Sequence, residues 1–156
     1  MSASAQSLSL SESASSSSRT IGWGRYALVG LGTMLAAVLA NTVFYFIGSV
    51  LVTYDPDFIV LADVSGTIIF TLTPAVVAVL LYAALLRFTR RPARVFTIIS
   101  AIVFVVTLIP DFTYIPSVPG SSNPQTAVLV LMHVIAATVI VSLLTRSTRS
   151  RQSVAR

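Results

Sequence analysis

The 156 residues contain no cysteine and no lysine, and only one histidine. Without cysteine there is no disulfide and no thiolate metal ligand, and the redox compartment is left open. One imidazole with no second histidine and no carboxylate at the same depth cannot complete a metal site, so neither a metal nor a cofactor is expected. All ten basic residues are arginine, a coding bias that fits a GC-rich bacterial source. Charge is scarce, at 10% of residues, where a soluble domain carries about a quarter. No P-loop, glycine-rich nucleotide cradle, H-E-x-x-H or nucleophile elbow occurs. Spacing assigns no nucleophile, base and orienting group, and no enzyme is expected.

Apolar sequence fills the space left by charge. Hydrophobic residues make up 55% of the chain, and the mean hydropathy is +0.90. Four runs approach or exceed the roughly 20 residues that cross a hydrocarbon core of about 30 Å as helix. They lie at Tyr26 to Val52, Val64 to Leu86, Val95 to Ile109 and Gln125 to Thr145. Pro92 suits a first helical turn and lengthens the third run to 92–109, with Pro110 as its stop. Backbone groups in lipid must be satisfied within their own segment, so the runs are read as helices. The expected fold is all-α, a four-helix transmembrane bundle over residues 21–146, with helices at about 26–52, 64–86, 92–109 and 125–145.

Charge sets the expected orientation. Arg19 and Arg25 precede the first run, Arg87, Arg90, Arg91 and Arg94 fill the connection between the second and third, and Arg146, Arg149, Arg151 and Arg156 follow the fourth. Asp55, Asp57, Asp63 and Asp111 occupy the opposite side, and Glu12 alone breaks the separation. The positive-inside rule places both termini in the cytoplasm of a multi-pass plasma-membrane protein. Trp23 and Tyr26 at one edge, with Tyr54 and Tyr114 at the other, suit interfacial aromatic belts. Residues 1–20, "MSASAQSLSLSESASSSSRT", are too poor in large apolar side chains to fold alone and lack the basic start of a signal peptide. They read as a disordered cytoplasmic tail, and residues 147–156 as a basic one. The basic balance is accounted for by a membrane face, so no nucleic acid is expected as partner. The partners expected are the lipid bilayer and either a second copy or another membrane protein. "RFTRRPAR" is foremost a topology signal, and Arg87, Arg90, Arg91 and Arg94 also suit anionic headgroups.

Polar residues inside apolar helices should face the bundle. At about 100° per residue, Gly30, Ala37, Asn41 and Gly48 share one face of the first helix within roughly 40°. Asp63, Thr67, Thr71, Pro74 and Ala78 form a stripe on the second, and Thr97, Ser100, Phe104, Thr107 and Asp111 a broader one on the third. Counted inward from the outer ends at about 1.5 Å per residue, Asn41, Thr71, Ser100 and His133 fall within a band of roughly 6 Å. They form an expected intramembrane polar layer, and Asp63 and Asp111 an expected outer rim, with Asp63 also suited to capping the second helix.

Two blocks, "RFTRRPARVFTIISAIVFVVTLIP" and "LVLMHVIAATVIVSLLTR", resemble an uncharacterised family of small four-helix bacterial membrane proteins, domain of unknown function 6069. The resemblance covers roughly residues 26 to 146 and rests on Arg91, Pro92, Arg94, Met132 and His133. It implies the four-helix topology and supplies no activity. Two functional expectations follow from the residues. The leading one is a non-enzymatic structural or accessory membrane component whose polar layer fixes helix pairing. The alternative is a small oligomeric transporter or channel using Asn41 and His133, since imidazole is able to titrate near neutral pH. The lack of an intramembrane carboxylate counts against transport.

Overall fold

The computed structural model describes residues 22–149, and the serine-rich tail and the last seven residues lie outside that range. Four long helices follow one another: α1 (Trp23–Leu51), α2 (Val64–Phe88), α3 (Pro92–Thr113) and α4 (Asn123–Arg149), with a 3-10 turn, Ile115–Ser117, after α3. All four are long and apolar enough to cross a membrane. Their outward surfaces are built from side chains such as Leu28, Leu39, Phe70, Val77, Val105 and Ile109, all more than half exposed. Such a surface is costly in water and neutral in hydrocarbon.

The helix ends follow local chemistry. Asp63 caps α2, its Oδ1 accepting from the Ser65 amide at 2.7 Å. Hydrogen bonds from Ser65 hold this exposed carboxyl below its usual range. Pro92 occupies the first turn of α3, where no N–H is needed. Pro110 does not stop α3, contrary to the sequence expectation. It sits inside the helix, which continues to Thr113. Proline costs an interior helix one hydrogen bond but has a helical φ, and the Tyr114 amide donating to the Pro110 carbonyl at 2.9 Å completes the last turn. The other helices also outrun their apolar runs. The first begins at Trp23, the second ends at Phe88, and the fourth starts at Asn123 and extends to Arg149. Residues 147–149, expected to be tail, are therefore helical.

Around the bundle the order is α2, α1, α4, α3. The α1–α4 and α1–α2 seams are the most extensive, α3 leans mainly on α4, α2 and α3 meet more sparsely, and α1 does not touch α3. The core has two parts. Toward the arginine end, Ala37, Ala75, Tyr82, Phe96, Ile140 and Leu144 pack together. Toward the aspartate end, Tyr45, Val128, Leu129 and Met132 receive Phe58 and Leu61 from the α1–α2 connection. Tyr45 donates to the Leu61 carbonyl at 3.1 Å, and Tyr54 to the Tyr45 carbonyl at 3.0 Å. Burial raises the Tyr54 phenol above its usual pKa.

The two connections at this end form one lid. Gln125 donates to the Gly120 carbonyl at 2.9 Å and accepts from the Asp55 amide at 3.4 Å. Gly120 has φ 71°, and a Cβ there would lie 2.8 Å from the Phe58 amide nitrogen. Glycine is required at this position for both reasons.

Candidate functional site

The sparse α2–α3 seam leaves a cavity of about 410 Å³ backed by α4. Small side chains explain why it stays open, because Ala78, Ser100, Ala136 and Ala137 line it where larger groups would close the gap. Its wall runs from Thr67 to Leu81 on α2, Phe96 to Thr107 on α3 and Leu129 to Val141 on α4. At about 1.5 Å per residue that is roughly 16 to 21 Å along each helix. Asn41 is the sole contribution of α1.

All four residues of the expected polar layer, Asn41, Thr71, Ser100 and His133, line this cavity. They do not form one connected network. Asn41 Nδ2 donates to Thr71 Oγ1 at 2.9 Å, a buried hydrogen bond between α1 and α2. His133 turns away from both toward α3, with Nδ1 3.0 Å from the Leu129 carbonyl on its own helix and 3.3 Å from Asp111 Oδ2. A carbonyl only accepts, so Nδ1 carries the hydrogen and a neutral ring presents Nε2 as its acceptor. Asp111 Oδ2 gains the proximity of the imidazole without a well-aligned hydrogen bond, and it is one of the buried atoms left with no such partner.

Asp111 is the principal correction to the sequence reading. It was expected on a solvated rim beside Asp63, but it is 5% exposed and packed in the last turn of α3. The continuation of α3 past Pro110 carries it down onto α4. Asp63 is exposed at the start of α2, and neither carboxylate lines the cavity. Asp111 lies inside Pro92–Ser117, a segment long and apolar enough to cross a membrane, and not beyond the end of its helix as the sequence reading had it.

Arg87, Arg90, Arg91 and Arg94 are all exposed where α2 passes to α3, and among the described residues no carboxylate pairs with them. Among the same residues no group of three or more potential metal ligands occurs. Sequence reasoning missed Thr67 as a member of the site, having placed it on the inward stripe of α2 without assigning it a role. It is 5% exposed, lines the cavity, and its hydroxyl has no partner.

The fold defines a small all-helical protein with four membrane-length helices around a polar-spotted, otherwise apolar cavity. The chain belongs to a family of unknown function, DUF6069, whose model matches residues 22–150. No curated protein and no solved structure matches it.

Proposed function

We propose that the protein is a non-enzymatic, multi-pass accessory component of a bacterial plasma membrane, with both termini cytoplasmic, whose bundle binds a small molecule from within the bilayer. The observation that carries this reading is the cavity of about 410 Å³ reaching Asn41, Thr71, Ser100 and His133. Its size falls in the range of small-molecule sites, about 300–1,000 Å³, and its lining has their usual character, mostly apolar with a few polar groups. A protein that used these residues only to set helix register would pack them against one another. The Asn41–Thr71 bond serves such a purpose, but the other polar groups leave open space.

Filling the space tests the reading. Ala136 lines the cavity from α4, so a larger side chain there would take up part of its volume. Ala136→Phe is expected to stabilise the detergent-solubilised protein by about 0.5–2 kcal/mol, as cavity-filling substitutions do. It should also remove any small molecule that native mass spectrometry finds on the wild-type protein. Destabilisation by overpacking, or identical bound masses in both proteins, would refute binding at this place.

The transporter reading draws support from a different feature, the Asp111–His133 pair within the membrane-length segments. Intramembrane carboxylates and histidines are the common parts of proton relays. Flux into liposomes that depends on a pH gradient and is lost in Asp111→Asn would favour transport over static binding.

A further inference from the structure

We infer that an anionic phospholipid docks along the α2–α3 seam, with its phosphate at the turn that carries Arg90 and Arg91 and one acyl chain in the cavity. This rests on reading the cavity as a binding site and adds the class of molecule that fills it. The cavity is open sideways. Phe70, Val77 and Val103 line it and are all more than half exposed, so its mouth lies on the outer, hydrocarbon-facing surface of the bundle. An occupant can enter from the bilayer without crossing water. The wall is mostly apolar over its roughly 16 to 21 Å, close to the depth of one leaflet, about 15 Å of a 30 Å core. A chain anchored at one membrane face would lie along it.

Charge chooses the headgroup. The turn that joins α2 to α3 closes the arginine end of the same seam. Leu81 is the last cavity residue on α2 and Phe96 the first on α3, so Arg87 and Arg91 lie about 9 and 7.5 Å further along the helix axes. Glycerol and the upper acyl carbons of a phospholipid span that interval. Arg87, Arg90 and Arg91 are exposed there, and among the described residues no carboxylate pairs with them. A guanidinium fork matches phosphate oxygens in bidentate geometry. α3 starts at this turn with Pro92 in its first turn and no side-chain cap, so its positive end adds to the attraction for an anion. Phe88 lies within about 20° of Val77 around α2 and is largely exposed, which carries the apolar track up to the turn. The positive-inside bias asks for positive charge at this end of the bundle, but not for a groove that ends at it. Arg94 lies roughly 150° round α3 from the cavity-lining face and Arg25 is on α1, so neither borders the seam.

The test uses the full-length protein in phosphatidylcholine nanodiscs with phosphatidylglycerol carrying a diazirine in one acyl chain, and locates the label by peptide mass spectrometry. Saturable label is expected on the α2 and α3 segments that line the cavity. A phosphatidylcholine probe with the identical chain should label them without saturation. Unlabelled phosphatidylglycerol should displace the label, whereas palmitate and inorganic phosphate should do so poorly. Arg90→Gln/Arg91→Gln should weaken the phosphatidylglycerol probe by roughly 10- to 30-fold, at about fivefold per base. Arg25→Gln/Arg94→Gln removes the same charge from the same end of the bundle, and should weaken it by less than about 3-fold at physiological salt, where diffuse attraction is screened. Val103→Trp narrows the mouth from a lipid-facing position and should suppress the label. Equal losses in the two double variants, equal saturable labelling by the phosphatidylcholine probe, or displacement by palmitate or phosphate as good as by phosphatidylglycerol would overturn the anionic phospholipid while leaving a binding cavity. Labelling unchanged in Val103→Trp would put the chain outside the cavity and overturn it too. Failure of both probes to label the cavity segments would overturn the phospholipid and the binding cavity together.

Discussion

A histidine whose Nδ1 meets its own helix's carbonyl also brings α4 within 3.3 Å of a buried carboxylate on α3. A full interhelical hydrogen bond in a membrane bundle contributes about 0.6 kcal/mol on average and up to about 1.7, which sets an upper bound for this 3.3 Å approach. His133→Leu and Asp111→Leu are each expected to destabilise the bundle, and a double-mutant cycle between them should give a coupling in that range. Additivity of the two within about 0.3 kcal/mol would show that the 3.3 Å approach contributes nothing. His133→Gln should recover part of the loss, since an amide still donates. That His133 would line the polar band was read from its place in an apolar run, and its side chain, 38% exposed, lies on the cavity wall. Its partner was not, because the choice between Asn41, Thr71 and Asp111 depends on how far α3 continues beyond Pro110. A proline near a helix end reads in sequence as either a stop or a tolerated interior residue.

At the scale of elements, the inward face of α1 follows from helical periodicity, and Gly30, Ala37, Asn41 and Gly48 are all buried. Of the stripe expected on α2, Thr67 and Thr71 are buried and Ala78 partly so, whereas Asp63 and Pro74 are exposed. The stripe expected on α3 is less faithful. Thr97 is exposed, and Ser100, Phe104 and Thr107 are only partly covered, because α3 has neighbours mainly on one side. Glycine has a specific use on α1. A Cβ at Gly30 would lie 2.7 Å from Val79 Cγ1, and valine's branched side chain has one strongly preferred rotamer in a helix, so it cannot easily turn aside. Gly30→Ala is therefore expected to cost about 1–3 kcal/mol by overpacking, despite alanine's better helix propensity. Denaturation in detergent checks this, with Gly32→Ala as control, since a Cβ there meets nothing within 4 Å. Equal effects at the two positions would remove the close α1–α2 approach as the cause. The lid at the aspartate end was not legible. That Phe58 and Leu61 dip into the core is a tertiary outcome that no local periodicity signals.

For the whole molecule, the arginines and aspartates separate to opposite ends of the bundle once the helices are in place. Arg25 opens α1, Arg87 to Arg94 surround the α2–α3 turn, and Arg146 lies in the last turns of α4, whereas Asp55, Asp57 and Asp63 lie in or beside the opposite connection. Four helices among the described residues put Trp23 and Arg149 at the arginine end, and translocating any arginine-bearing loop would oppose the bias that orients membrane proteins. Absence of native cysteine makes the orientation directly measurable, because every introduced thiol is the only one present. Ser121 lies in the α3–α4 connection and Ser147 is exposed near the end of α4. With a membrane-impermeant maleimide on intact cells, Ser121→Cys is expected to react and Ser147→Cys to react only after permeabilisation. Labelling of Ser147→Cys alone in intact cells would invert the bundle, and labelling of both would mean that it does not cross the membrane as four spans. The lid of Phe58, Leu61 and Gly120 would then face the cytoplasm in the first case. The cavity would keep its position between α2, α3 and α4 in that case, because its depth is set by Thr67 and Leu81 along α2 and not by which end is outside.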